Sequence, residues 1–179
     1  MYNITMITLY LDMDGVLCNF DKAYSSLRTY AADGKRFRAA VMEYHIFEDL
    51  EFMPDSMELM NFVSKLENIN IEILTSLGTF DSIQGNAAKY QKMKWLESKN
   101  IPYKANFVRS KAEKANFAHD RAILVDDSPG CIDPFNDKGG HGILHKKSSD
   151  TIQQIHDTIR GINGLHALKF GYDSLGTYA

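Results

Sequence analysis

Hydrophobic residues along the chain occur in short runs that alternate with stretches of helical periodicity. Apolar runs of the length and β-branched content of strands lie at 4–11, 70–74, 103–108 and 122–125, with a candidate fifth at 142–144. Helical patterns fill the intervals at 56–66, 86–98 and 111–118, and a final one starts near residue 150. Strands that alternate with helices predict an α/β fold, in which a Rossmann-like parallel sheet has helices on both faces.

The predicted helices carry specific expectations about their ends and faces. Asp55, with Glu58 three residues later, is a candidate N-terminal capping pair for the helix 56–66. The helix 86–98 is expected to turn three residues inward, namely Tyr90, Met93 and Leu96. The last helix has one apolar side, formed by Ile152, Ile155, Ile159 and Ile162.

One segment, residues 20–53, interrupts the alternation because it contains no clear strand. We interpret it as a small helical cap over the edge of the sheet. The predicted organisation is an α/β core from 1–19 and 54–163, the cap, and a C-terminal tail from 164–179 that shows no interpretable pattern. Aromatic residues of the cap are expected to bury it against the core, with stacking on a planar ligand as the alternative; they include Phe20, Tyr44, Phe47 and Phe52.

The composition is that of an ordinary globular protein. The 179 residues are 44% hydrophobic and 24% charged, which is enough apolar content for one core. The net charge of −3 provides no general attraction to nucleic acid. Cys18 and Cys131 have no CxxC spacing, and neither an apolar run of membrane-spanning length nor a signal-peptide pattern occurs. We therefore expect a reduced, cytoplasmic protein without a membrane partner.

Polar residues directly follow three of the predicted strands. The first strand runs into Asp12 and Asp14, the second into Thr75-Ser76, and the fourth into Asp126-Asp127. The carboxyl ends of parallel strands lie at one edge of a sheet, where ligands bind in open α/β folds. The sequence therefore predicts that four carboxylates and two hydroxyls share one site.

Four carboxylates at one edge require compensating positive charge. Two like charges about 4 Å apart repel by roughly 4 kcal/mol at an effective dielectric constant near 20. A divalent cation relieves this repulsion, and an all-oxygen ligand set favours Mg²⁺ over Zn²⁺. Neither cysteine ends a strand and no histidine pair has metal-binding spacing, so the predicted cofactor is Mg²⁺.

The Asp-x-Asp-Gly spacing predicts different tasks for its two carboxylates. Asp12 and Asp14 would point to the same side of an extended strand. Gly15 then allows the chain to turn sharply. One carboxylate can face a metal and the reacting group, while the other swings out to act as an acid or a base.

These motifs resemble those of the haloacid dehalogenase superfamily and occur in the same order. LYLDMDGVL is similar to the first motif, ILTS to the second, Lys111 to the lysine of the third, and ILVDDSP to the fourth; together they span residues 4–129. Three further stretches are similar to the small 5′(3′)-deoxyribonucleotidase branch, namely DMDGVLCNF, FEDLEFMPDSMELM and KYQKMKWLESK. The resemblance implies a core of the haloacid dehalogenase type.

It also implies a magnesium-dependent phosphatase that forms an aspartyl-phosphate. Asp12 would attack the phosphorus, and Asp14 would protonate the leaving oxygen and then activate water. Mg²⁺ would be held by Asp12, the main-chain carbonyl of Asp14, and Asp127, with Asp126 in support.

The resemblance implies that Thr75 and Lys111 bind the phosphoryl oxygens and balance the charge of the transition state. Ser76 is a further candidate for phosphate binding, with a solvent-facing hydroxyl as the alternative. Lys111 is preferred because it follows the third predicted strand in VRSK, where the nucleotidase branch has its lysine. Lys114, on the same short helix, is the alternative.

The implied substrate is a nucleoside monophosphate, in particular a deoxyribonucleotide. A sugar phosphate or a phosphorylated nucleic-acid end is the alternative within the superfamily. A phospho-receiver domain also gathers aspartates, a threonine and a lysine over a parallel sheet, but its phosphorylated aspartate follows a middle strand. A catalytically silent binding domain is a further alternative, whereas the absence of GxxxxGK[ST] argues against a P-loop kinase.

Overall fold

A parallel sheet of five strands forms the centre of the protein, in the order β3-β2-β1-β4-β5. The computed structural model describes residues 6–27 and 33–171, so residues 4 and 5 of the first predicted strand lie outside the described residues. The strands are β1 Ile7–Leu11, β2 Ile69–Ser76, β3 Lys104–Val108, β4 Ala122–Asp126 and β5 His141–Leu144. The predicted α/β fold is confirmed.

Helices connect these strands in the described ranges. The α-helices are α1 Phe20–Ser26, α2 Asp33–Met42, α3 Ser56–Val63, α4 Ser82–Ser98, α5 Pro129–Asp137 and α6 Ser148–Gly171, and a short 3-10 helix spans Ala112–Phe117. Helix α5 was not predicted from the sequence because it contains two prolines. Pro129 lies in the first turn, where a proline removes no helical hydrogen bond.

Alternating side chains of the strands enter two hydrophobic clusters, one on each face of the sheet. On β1, Leu9 and Leu11 join the cluster built with α3, α4 and α6, whereas Tyr10 joins the cluster built with α5. On β4, Val125 and Leu124 divide in the same way. The sheet therefore has helices on both faces, as predicted.

The prediction for the inward face of α4 was wrong for two of its three residues. Tyr90 is 60% exposed and Met93 is 50% exposed, while Leu96 is buried. The buried positions include the polar residues Gln91 and Lys92. A hydrophobic pattern cannot show this face because polar side chains on it are satisfied by partners from distant segments.

The predicted capping pair at α3 was also wrong. Asp55 occupies the N-cap position, but its side chain makes no capping hydrogen bond there. It accepts instead from the backbone N–H of Ser148 at 2.5 Å, at the start of α6. Hydrogen bonds to Ser148 outweigh the effect of burial and lower the pKa of Asp55. This aspartate therefore joins two helices and places a negative charge at a helix N-terminus.

The expected apolar side of α6 is confirmed, since Ile155 and Ile162 are buried and Ile152 and Ile159 pack against the same cluster. The helix continues to Gly171, through the first part of the segment predicted to be a tail. The rest of that segment, 172–179, lies outside the described residues.

Two of the helices, α1 and α2, lie in the predicted cap segment 20–53. Contacts with α4 hold part of this segment to the core. Gln91 donates to Val41 O at 2.8 Å, and the indole N–H of Trp95 donates to Leu50 O at 2.7 Å. The limits of the cap as a separate unit stay a prediction. Among the described residues, no helix combines the length and apolar character needed to cross a bilayer.

Candidate active site

The carboxyl ends of three neighbouring strands meet at one edge of the sheet. The backbone N–H of Asp12 donates to Val125 O at 3.0 Å, which keeps Asp12 aligned between β1 and β4. Asp126 is the last residue of β4, and Thr75 and Ser76 end β2. The structure therefore brings together the strand-end residues that the sequence placed at one edge.

A tight turn follows Asp12 and depends on Gly15. The carbonyl of Met13 accepts from the backbone N–H groups of Leu17 and Cys18, at 2.8 and 2.9 Å. Gly15 has φ of +76°, a conformation that glycine adopts without strain. A Cβ atom at this position would overlap the carboxylate of Asp127. The glycine thus lets the backbone approach an acidic side chain of the site.

Three carboxylates form a compact group at this edge. Oxygen atoms of Asp12, Asp126 and Asp127 lie within 4.8 Å of one another. Burial, followed by the charge of Asp12, raises the pKa of Asp126 to about 6 and also raises the pKa of Asp127. Hydrogen bonds and ion pairs of Asp127 are absent within the described part of the chain. This set of oxygen donors, with one carboxylate left free, fits a divalent cation.

Lys114 is the cation that lies inside this group. Its Nζ atom lies 2.9 Å from Asp12 Oδ1 and 2.5 Å from Asp126 Oδ2, and the residue is 1% exposed. Burial disfavours the charged lysine, but Asp12 and Asp126 outweigh this effect and raise its pKa. Lys114 therefore stays protonated and neutralises part of the acidic group.

Lys111, the lysine preferred from the sequence, has a different place. It is exposed and lines the cavity above the carboxylates, where its Nζ donates to Ser128 Oγ at 3.1 Å. It precedes the 3-10 helix, whereas Lys114 lies within it and faces the sheet. Of the two lysines left open by the sequence, the structure brings Lys114 against Asp12.

Asp14 points away from the other carboxylates towards a buried lysine of α4. Its Oδ2 atom accepts from Lys92 Nζ at 2.6 Å, and its Oδ1 lies 3.5 Å from the Cys18 thiol. The carboxylate is partly exposed and lines the cavity. Burial and the neighbouring carboxylates raise the pKa of Cys18 well above its usual value, so this thiol stays protonated. Asp12 and Asp14 thus have separate partners, Lys114 and Lys92.

The two hydroxyls at the end of β2 also differ. Ser76 lines the cavity, and its Oγ accepts from the backbone N–H of Gly78 at 3.1 Å. Thr75 is fully buried, and its Oγ1 accepts from Lys92 at 2.8 Å. Ser76 faces the space that a ligand would occupy, while Thr75 lies behind it.

Above the carboxylates lies a cavity of about 440 Å³. One wall is aromatic: the rings of Phe20 and Phe47 stack with centroids 5.3 Å apart, and Phe37 meets both edge-on. Phe52 packs against Trp95 of α4, as expected for an aromatic residue that buries the cap segment against the core. The cavity is large enough for a small ligand with one apolar part.

Lys92 is a site residue that was not predicted from the sequence. It shares the buried face of α4 with Ala88, Trp95 and Leu96, at helical spacing from each. A lysine in such a row is the signal that could have indicated a buried, paired cation.

The fold is similar to those of hydrolases of known structure. A hydrolase from Streptococcus pneumoniae TIGR4 aligns with a TM-score of 0.51 and 10% identity, over 86% of this chain and 100% of that chain. A Had-superfamily hydrolase from Ehrlichia chaffeensis aligns with a TM-score of 0.50 and 13% identity, over 88% of this chain and 100% of that chain. No protein-family model matches the sequence, and no curated protein matches it significantly. The chain has the fold of haloacid dehalogenase-like hydrolases, as its motifs predicted.

Proposed function

We propose that the protein is a magnesium-dependent phosphomonoester hydrolase that forms an aspartyl-phosphate on Asp12. One observation carries the proposal. The Asp12 carboxylate lines the cavity, contacts a buried lysine, Lys114, and lies within 4.8 Å of two further carboxylates, in the fold of a hydrolase class. A carboxylate held in this way can act as a nucleophile while the lysine offsets the charge that develops around it.

The proposed reaction has two steps. In the first, Asp12 attacks the phosphorus, the bond to the leaving oxygen breaks, and Asp14 donates a proton to that oxygen. In the second, Asp14 takes a proton from water as the water attacks the phosphorus, which releases inorganic phosphate and regenerates Asp12. The separation of Asp14 from the three-carboxylate group supports its role as the acid and base.

The residues present fit Mg²⁺. Asp12, the main-chain carbonyl of Asp14 and Asp127 would hold it, with Asp126 in support through its contact with Lys114. When bound, Mg²⁺ would offset the negative charge of the phosphoryl group and of the carboxylates.

For the phosphate-binding lysine, the geometry favours Lys114 over Lys111. Lys114 is buried against the proposed nucleophile, whereas Lys111 lies at the exposed side of the cavity. Among the hydroxyls, Ser76 has the position to contact a phosphoryl oxygen directly. Thr75 is proposed to support the site from behind, through Lys92.

A nucleoside monophosphate, in particular a deoxyribonucleotide, is the proposed substrate. The aromatic wall formed by Phe20, Phe37 and Phe47 supports this choice because it gives a base an apolar surface to pack against. Phe20 and Phe47 already stack on each other, so a base would contact this wall without stacking between them. The resemblance to the nucleotidase branch supports it as well. A cytoplasmic location is consistent with a nucleotide substrate.

A phosphorylated nucleic-acid end is the second candidate substrate, and a specific observation favours it. Arg109 and Lys111 lie at the cavity, and Arg109 has a side chain that is 65% exposed. Two cations there could contact a second phosphate group. A receiver domain is a poorer explanation, because the candidate phosphorylated aspartate follows β1, the first strand, and not a middle strand of the sequence.

A substrate panel tests the proposal. Deoxynucleoside and ribonucleoside monophosphates, sugar phosphates and 5′-phosphorylated DNA would be compared in Mg²⁺ and in excess EDTA, with Asp12→Asn as the control for contaminating phosphatase. We expect the highest kcat/KM for deoxynucleoside monophosphates and complete loss of activity in EDTA, reversed by Mg²⁺.

Two results would contradict parts of the proposal. Full turnover in EDTA would exclude the metal. Turnover of glucose 6-phosphate or phosphorylated DNA about tenfold faster than every nucleotide, a difference of about 1.4 kcal/mol in transition-state binding, would exclude the nucleotide substrate.

A further inference from the structure

The side chain of Lys92 is fully buried at a point where three parts of the protein meet. Its Nζ atom lies 2.6 Å from Asp14 Oδ2 and 2.8 Å from Thr75 Oγ1, and it lies 4.5 Å from the ring centroid of Phe47. A buried ammonium group is costly unless it is paired and hydrogen-bonded. These contacts therefore compensate the burial of Lys92, and they also constrain the groups that make them.

The direction of the hydrogen bonds is fixed by the chemistry of the lysine. An ammonium group has three N–H donors and no acceptor. One donor goes to Asp14 and one to Thr75, while the face of the Phe47 ring lies near the cation. Thr75 must accept, so its own hydroxyl proton is directed elsewhere. Lys92 binds one oxygen of Asp14. The other, Oδ1, accepts a weak hydrogen bond from the Cys18 thiol at 3.5 Å and, as a carboxylate oxygen, has a further lone pair for a substrate or a water molecule.

Contacts of the neighbouring residues on α4 hold Lys92 in place. On either side of it along α4, Gln91 accepts from the backbone N–H of Phe47 at 3.4 Å, and Trp95 donates to Leu50 O. The same helix face thus binds the segment that carries Phe47 and the carboxylate of Asp14. Phe47 lines the cavity, so the groups around Lys92 include both a cavity wall and the proposed acid.

We propose that Lys92 is a positioning residue, which holds one oxygen of Asp14 so that the other can transfer protons to and from the reacting oxygens. The inference rests on the proposed phosphatase function. Lys92 is not among the residues that line the cavity, and its contact with Asp14 is the route by which it acts. Its loss should therefore impair the steps that need proton transfer and spare attack by Asp12 on a substrate whose leaving group needs no proton.

The test compares Lys92→Met with wild-type protein on two substrates, a nucleoside monophosphate and an aryl phosphate. Methionine keeps an unbranched side chain next to Phe47 but has no donor. We expect kcat for the nucleotide to fall about 100-fold or more, the scale of general acid–base catalysis. The aryl phosphate should still give a rapid burst of phenol near one equivalent, followed by slow turnover, with KM changed less than about threefold. Lys89→Met, at an exposed position of the same helix, is the matched control and should behave as wild type.

A double variant separates positioning from a general loss of structure. Asp14→Asn removes the charge that Lys92 pairs with, so adding Lys92→Met leaves no unpaired charge and provides a folded comparison if the single variant does not fold. If Lys92 acts through Asp14, the double variant should match Asp14→Asn in burst and residual turnover.

Three results would overturn the inference. The first is an equal loss of kcat with both substrates and no burst from Lys92→Met. The second is no loss of kcat with either substrate. The third is a further fall in kcat of about tenfold when Lys92→Met is added to Asp14→Asn. A wild-type protein inactive on every phosphomonoester would instead overturn the proposed function, and the inference with it.

Discussion

Lys114 Nζ lies 2.9 Å from Asp12 Oδ1, at the end of a side chain that is almost completely buried. The 3-10 helix between β3 and β4 therefore delivers a cation directly to the first strand end. The same lysine contacts Asp126, so one positive charge holds together the ends of β1 and β4. This contact supports the proposal that Asp12 is the carboxylate that reacts.

The first prediction compares two lysines that lie three residues apart. Lys114→Met should lower kcat/KM by about 100-fold or more, because it removes a charge next to Asp12, the proposed nucleophile. Lys111→Met should lower it by less than about tenfold, since Lys111 contacts Ser128 and solvent. Steady-state kinetics on the best substrate of the panel measures both.

Stability measurements serve as the control for this comparison. Without Lys114, two buried carboxylates lose their partner. The free energy of unfolding should therefore fall by about 3–5 kcal/mol in the absence of metal. Added Mg²⁺ should recover part of this loss. A larger kinetic defect in Lys111→Met than in folded Lys114→Met would contradict the assignment.

The second prediction concerns the turn after β1. Gly15→Ala should greatly reduce turnover and Mg²⁺ affinity, because a Cβ atom there would displace the Asp127 carboxylate. The positive φ adds a backbone cost of about 1–2 kcal/mol for alanine. Isothermal titration measures the Mg²⁺ affinity, and kinetic assays measure the turnover.

Gly161→Ala is the matched control for Gly15→Ala. Gly161 lies within α6, and a Cβ atom there meets nothing within 4 Å. Alanine should be neutral or stabilising at that position, by up to about 1 kcal/mol. A Gly15→Ala protein with unchanged Mg²⁺ affinity would show that Asp127 does not need this close approach.

The third prediction is a pH dependence of stability away from the active site. Glu72 on β2 accepts hydrogen bonds from Asn70 at 2.9 Å and from Asn106 at 2.7 Å, and pairs with Lys104 at 3.3 Å. Burial tends to raise the pKa of Glu72, but these donors outweigh it and place the pKa below its usual 4.5. The ionised Glu72 therefore stabilises the folded protein fully above pH 4.5, and this contribution is lost as pH falls through the folded-state pKa of Glu72.

Denaturant unfolding of wild type and Glu72→Gln at several pH values tests this sign. The difference in free energy of unfolding should be largest above pH 4.5 and should shrink in more acidic solution. A difference that stays constant, or grows towards acid, would exclude an ionised Glu72 as the stabilising form.

Much of the site could be predicted from the sequence because the ends of buried strands can be recognised in it. Apolar, β-branched runs that stop at an aspartate locate Asp12 and Asp126, and parallel strands bring their ends to one edge. The turn at Gly15 could also be predicted, because it depends on a glycine that directly follows the first strand and its two aspartates. The order of the motifs then predicted the hydrolase fold that the structure confirms.

The remaining residues could not be predicted because their placement depends on contacts between distant segments. Lys111 and Lys114 are equivalent in a linear pattern, and only the packing of the 3-10 helix turns Lys114 towards the sheet. Lys92 is a charged residue on a buried helix face, where its partners come from β2 and the turn after β1. Hydrophobic periodicity treats such a residue as exposed.

The fourth prediction addresses the proposed roles of the two aspartates of the first motif. Asp12→Asn replaces the attacking oxygen with a poor nucleophile, so no phosphoenzyme should form. Asp14→Asn keeps the nucleophile but loses the group that protonates the leaving oxygen and activates water. With an aryl phosphate, which needs little protonation, Asp14→Asn should give a burst of phenol near one equivalent, and Asp12→Asn should give none.

Mass spectrometry of Asp14→Asn protein, trapped during that burst, tests the central claim most directly. We expect one added phosphoryl group, located on Asp12, and none on the Asp12→Asn protein treated in the same way. A phosphoryl group on Asp126 or Asp127, or equal bursts from the two variants, would contradict the assignment of Asp12 as the nucleophile.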